Sequence, residues 1–119
     1  MLIKAKEREL QDLISIGPAM LRDFELLGIR SVAQLAKQDP RKLYARLGRI
    51  LMQHQDICVL DTFEAAVAQA KDPRLPAEKC QWWWWSERRK QASKEVKKQR
   101  LRRIKMAVGL ITKPVLSRG

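Results

Sequence analysis

The chain has 119 residues, of which 45% are hydrophobic and 32% charged, and its formal net charge is +12 at pH 7. That length holds one small domain plus an extension, and 5 Gly with 5 Pro exclude a low-complexity chain. No uncharged apolar run of about 18 residues is present, and the start MLIKAKEREL lacks a signal peptide's apolar stretch, so the reading is a cytoplasmic protein with no membrane partner.

Up to residue 85 the apolar pattern is helical. Leu2, Leu10, Leu13 and Ile14 give a first segment one apolar side, closing at Ser15. Pro18 suits the first position of the next helix, because its missing N–H would lack a partner there anyway. Met20, Leu21, Phe24 and Leu27 then recur at three- and four-residue spacing, the mark of a buried face. Gly28 fits the left-handed position that ends many helices.

Ser31-Val32-Ala33-Gln34 is a capping-box pattern that starts a short third helix through Ala36. Asp39-Pro40 places an N-cap before proline, and Leu43, Tyr44, Leu47, Ile50 and Leu51 form a fourth helix's stripe. Asp56 caps a fifth, with Ile57, Leu60, Phe63, Val67 and Ala70 facing inward. Asp61 and Glu64 read as solvated helix charges. No segment alternates with period two, so no sheet is expected.

Lys71-Asp72-Pro73-Arg74-Leu75-Pro76 reads as a turn-rich linker whose prolines interrupt any helix. Four consecutive tryptophans, Trp82 to Trp85, follow. They cannot all face one way. Two or three rings closing one end of the core is one reading, outward rings stacking on bases beside Arg88 and Arg89 a second, and an intermolecular contact a third. Glu87 to Met106 are good helix formers with sparse apolar positions, a helix that needs a partner to be stable. The last residues are expected to be disordered.

Charge is concentrated at the C-terminal end. Residues 1–85 hold 13 Lys+Arg against 11 Asp+Glu, whereas residues 86–119 hold 12 against 2. A cationic block of this density attracts polyanions by counterion release. Lys90, Lys94, Lys97, Lys98, Arg100, Arg102 and Arg103 wrap the axis of a helix rather than lining one stripe, which suits phosphate contact more than base reading.

The stretch LQDLISIGPAMLRDFELLGIRSVAQLA (10–36) resembles a helix-hairpin-helix motif. Ile16 and Gly17 occupy its second hydrophobic–glycine pair, and Pro18 follows. With DPRKLYARL (39–47), DICVLDTFEAAV (56–67) and the tryptophans before SERR, residues 8–89 resemble the small bacterial "pathogenicity locus" family of helix-hairpin-helix proteins. The resemblance implies a compact helical fold and, by analogy alone, DNA binding. In such a hairpin, glycine before a helix lets a phosphate oxygen approach free backbone N–H groups. Here those groups belong to Gly17, Ala19 and Met20, with Arg22 the nearest cation. The pattern departs at Ser15, where the family has glycine, although a serine hydroxyl could donate a hydrogen bond there. It departs again at Ala19, often Lys or Arg, and at Leu21, where alanine packs closely. A phosphate ligand and a purely structural turn both remain open.

No enzyme is expected. His54 and Cys58 are four apart, but a structural zinc site needs four ligands and only Cys80 remains. No second histidine could serve a cysteine nucleophile, and no phosphate loop or dinucleotide fingerprint is present. No CxxC occurs, so both cysteines read as reduced thiols and neither metal nor cofactor is predicted.

The sequence thus predicts an all-α protein. Residues 1–85 form a compact bundle of about five short helices containing a helix-hairpin-helix motif, and residues 86–119 a basic, partly helical or disordered extension. The function expected is non-enzymatic, sequence-tolerant nucleic-acid binding, with DNA favoured. The rival is a protein-interaction module whose hairpin is structural and whose tail or aromatic end meets an acidic protein partner.

Overall fold

The computed structural model describes residues 7–116, and their side chains as far as Gly109. The described residues form five α-helices and two 3-10 turns, with no strand. The chain divides into two units, Met1–Ser86 and Glu87–Gly119.

In the first unit, the described residues before Ser15 hold a 3-10 turn, Leu10–Asp12, where a helix was expected. Glu9 and Asp12 cap it reciprocally, the Glu9 N–H donating to Asp12 Oδ2 at 2.8 Å. Leu2 lies outside the described residues. After the turn, Ser15 takes a positive φ of 72°, and helix α1 (Pro18–Leu26) starts with Gly17 as N-cap and proline in its first turn. Its end is a Schellman motif: the Gly28 N–H reaches Glu25 O and the Ile29 N–H reaches Phe24 O, at 3.0 and 2.8 Å. Ile29 and Phe24 are both buried, supplying the apolar contact that accompanies this ending.

Gly28 holds φ at +76°, and a Cβ added there would meet nothing within 4 Å. The cost of Gly28→Ala is therefore backbone strain alone, about 1–2 kcal/mol. Denaturant midpoints should show that loss, while Gly17→Ala, at an ordinary φ of −106°, should leave stability unchanged.

Helix α2 (Val32–Ala36) is capped by Ser31, which accepts from the Gln34 N–H at 3.0 Å. The Gln34 side chain reaches one residue further back than a capping box requires. Its Oε1 accepts from the Arg30 N–H and its Nε2 donates to Gly28 O, both at 2.8 Å. Helix α3 (Pro40–Leu51) is capped by Asp39, and helix α4 (Ile57–Lys71) by Asp56. At the far end of α4, Arg8 donates to the carbonyls of Gln69 and Ala70 at 2.8 and 3.3 Å, satisfying last-turn acceptors.

Helix α4 is the centre of this unit, packed against α2, α3 and the 3-10 turn Ala77–Cys80. Its buried residues lie on more than one face, including Phe63, Ala65, Ala66, Val67 and Gln69. Phe63 meets Phe24 with ring centroids 5.8 Å apart, joining α4 to α1. Asp61, expected to be solvated, is instead buried at 1% exposure. Among the described residues no buried side-chain nitrogen or oxygen lacks a hydrogen-bond partner. Conversely Ile50, Leu51 and Ile57, expected to face inward, are each more than 40% exposed. They sit where α3 ends and α4 begins, beyond the reach of the core.

Helix α5 (Trp82–Leu116) starts in the first unit and supplies the described part of the second. From Glu87 to Gly109 every side chain is exposed except Arg89, which is half-buried. Helix α5 continues to Leu116, into the final residues expected to be disordered, while residues 117–119 and the Leu110 and Ile111 side chains lie outside the described residues.

Candidate nucleic-acid interface

The predicted site residues fall in both units. Gly17, Ala19, Met20 and Arg22 belong to the first; Arg88, Arg89, Lys90, Lys94, Lys97, Lys98, Arg100, Arg102 and Arg103 belong to the second.

The turn before α1 is held from behind by a buried amide. Gln69 Oε1 accepts from the Ile14 N–H at 2.9 Å, while Nε2 donates to Ile14 O at 2.7 Å and to Cys80 O at 3.3 Å. The Ser15 hydroxyl donates to Cys80 O at 3.3 Å and lies 3.4 Å from Gln81 Oε1. Its hydrogen bonds are thus made inside the fold, not offered to a ligand.

On the outer side Gly17 has no side chain to cap α1, and a Cβ there would meet nothing within 4 Å. First-turn N–H groups lack intrahelical acceptors and carry partial positive charge. Ala19 and Arg22 are exposed, whereas Met20 is half-buried against the core. Asp23 lies in the same helix. Partial burial raises its carboxyl pKa above the ordinary value, and Arg22 opposes that shift.

In the second unit Lys94, Lys97, Lys98, Arg100, Arg102 and Arg103 are exposed. Lys90 pairs with Glu87 at 3.9 Å, an exposed contact three residues apart along the helix. Exposed pairs of this kind are worth little and yield readily to a phosphate. Arg88 and Arg89 both hold contacts within the protein.

Of the four tryptophans, Trp82 and Trp83 are 41% and 47% exposed, while Trp84 and Trp85 are half-buried. The latter two meet edge-to-face at 5.0 Å. Trp85 Nε1 donates to Lys79 O at 2.8 Å, and the Lys79 ammonium lies 5.4 Å from the Trp84 ring. Cys80, at the end of the 3-10 turn Ala77–Cys80, is buried, and burial is the main cause of its raised thiol pKa.

His54 and Cys58 do not share a helix. His54 lies in the loop before α4, edge-to-face with Tyr44 at 6.3 Å, and Cys58 stands in α4's first turn. Among the described residues no group of three His, Cys, Asp or Glu could hold a metal ion, and no helix is long and apolar enough to cross a membrane.

One cationic feature escaped the sequence reading. Lys42, Arg46 and Arg49 stand at i, i+4 and i+7 on α3, and all three are exposed. Their spacing was readable, but the near-neutral total of residues 1–85 concealed it.

The pattern described as Cdd1, pathogenicity locus, matches residues 4–91. A "Mitomycin resistance protein McrB" of Streptomyces lavendulae is 42% identical over 69 residues, which is 58% of this chain and 64% of that protein. The chain therefore spans less than two thirds of that relative's length. No solved structure matches.

Proposed function

The chain belongs to the pathogenicity locus family, and from that premise and the geometry above we propose that it is a non-enzymatic, cytoplasmic protein that binds nucleic acid without regard to sequence. The observation that carries this reading is the exposure of Lys94, Lys97, Lys98, Arg100, Arg102 and Arg103 along one helix. Cations distributed around an axis neutralise phosphates from several directions and offer no ordered face for base edges. DNA is the ligand favoured, by analogy with helix-hairpin-helix proteins. In that picture the Gly17 turn and the start of α1 act as a hairpin whose backbone N–H groups meet a phosphate.

The test is retention of the full chain on duplex DNA, single-stranded DNA and RNA at about 50 and 200 mM salt. Six or more phosphate contacts predict at least about a thousandfold loss of affinity across that range. Failure to bind any of the three at the lower salt overturns the proposal. The hairpin contact has its own variant. Gly17→Glu fits without strain or clash, so a three- to tenfold loss of duplex affinity reports a nearby phosphate. Unchanged affinity assigns the turn a structural role only.

A protein partner is the second reading, favoured by Leu101, Ile104 and Val108, which are 50–58% exposed at three- and four-residue spacing. Capture of one defined protein that survives nuclease treatment would support it.

A further inference from the structure

We infer that α3 carries a second phosphate-backbone contact, on the first unit, independent of the basic helix; it rests on the nucleic-acid reading above and locates another part of that interface. Two observations point to it. The first is charge. Helix α3 (Pro40–Leu51) holds Arg41, Lys42, Arg46 and Arg49 and no acid, while the rest of residues 1–86 carries nine Lys+Arg against eleven Asp+Glu. The near-neutral first unit therefore conceals one cationic helix.

At 3.6 residues per turn, Lys42, Arg46 and Arg49 fall within an arc of about 60°. Leu43 and Leu47, 1% and 0% exposed, anchor α3 to the core through another side. Lys42 and Arg49 are about 10 Å apart along the axis, the rise of about three phosphates on one strand. Arg46 donates to Leu27 O at 3.2 Å, so it stands fixed in the middle of the stripe.

The second observation is shape. Beside Arg49 a shallow depression is lined by Ala45, Gly48, Gln53, His54 and Gln55, among others. Ala45 is small and exposed at the edge of the stripe, so a backbone can come close to the helix there, while Gly48 lies further round the axis under the Gln53 carbonyl. The Gln and His side chains supply hydrogen-bond donors beyond Arg49. Arg49 borders both the cationic stripe and these neutral donors, an arrangement that fits a phosphodiester strand.

The test uses the full chain and a 25-base-pair duplex, with Lys42→Glu/Arg49→Glu compared against Lys37→Glu/Arg74→Glu, an equal charge reversal at exposed sites off this face. Arg46 is left in place because it serves the fold. The α3 pair is expected to lower affinity at least tenfold and the log–log salt slope by about 2, at about 0.9 per phosphate contact, with the control pair losing less than threefold. Thermal unfolding checks both proteins. Should the Glu pair unfold, Lys42→Gln/Arg49→Gln replaces it, with the same expected slope change. Equal losses in the α3 and control pairs, or no loss in the α3 pair, overturn the inference while leaving tail-driven binding intact. Polyglutamate bound as tightly as the duplex, and lost in the same variant, overturns it in favour of an acidic protein. Wild-type protein that binds no duplex at low salt removes the functional reading itself, a result distinct from the others.

Discussion

Replacing Lys94, Lys97, Lys98, Arg100, Arg102 and Arg103 together with glutamine is expected to weaken duplex DNA binding by at least about a thousandfold near 100 mM salt. The slope of log affinity against log salt should fall by about 5, since each neutralised phosphate contributes about 0.9. Glutamine and the two cations have similar helix propensities, so the substitution removes charge and leaves the helix former in place. All six side chains are exposed, and their removal opens no cavity. Like charges four apart, such as Lys94 with Lys98 and Lys98 with Arg102, repel along the helix. The variant should therefore be at least as helical as the parent by circular dichroism. A slope that stays within one unit of the parent value would show that binding does not run through these cations.

This outcome differs in kind from that of the α3 pair. Losing six contacts removes most of the electrostatic attraction, whereas losing two leaves a protein that still binds. Measured together, the two variants partition the salt slope between the units. If the slopes add, the contacts are independent, as expected for sites that share no partners.

The parts of this fold legible in the sequence are those decided within a few residues. Ser31, Asp39 and Asp56 cap their helices because a short oxygen-bearing side chain reaches an N–H two or three positions ahead. Gly28 was readable for the same reason, since the Schellman ending is closed between Phe24 and Ile29. What escaped was set by distant neighbours. Asp61 is buried because α4 is surrounded, a property of its packing rather than of its own residues. Ile50 and Ile57 have helical spacing yet stay exposed, because the stripe outruns the core it faces. The Ser15 hydroxyl turns inward to residues 65 and 66 positions away, which no local pattern records. The candidate site divides in the same way. The tail's cations are plain from composition, whereas the α3 stripe was hidden under a neutral sum.

Gln69 carries the other large expectation. Gln69→Leu keeps nearly the same volume and should lower unfolding free energy by about 2–4 kcal/mol, because three hydrogen bonds disappear and their backbone partners stay in the fold. The amide is 4% exposed, and it pairs with both the N–H and the carbonyl of Ile14 while also reaching Cys80 O. A leucine there leaves the N–H and carbonyl of Ile14 to find water or go unpaired, while Cys80 O keeps the Ser15 hydroxyl. Solvent reaches the Ile14 side, which keeps the expected loss below the full penalty of three sealed groups. Gln69→Glu tests the donor role directly. It retains an acceptor for the Ile14 N–H but sets a carboxylate against two carbonyl oxygens, so its loss should equal or exceed that of leucine. Urea midpoints at constant m-value measure both. A loss under about 1 kcal/mol for either variant would mean that the turn before α1 holds its shape without the clamp. A larger loss in the glutamate variant is the expected mark of a buried carboxylate set against the carbonyls of Ile14 and Cys80, behind the turn that leads into Gly17 and α1.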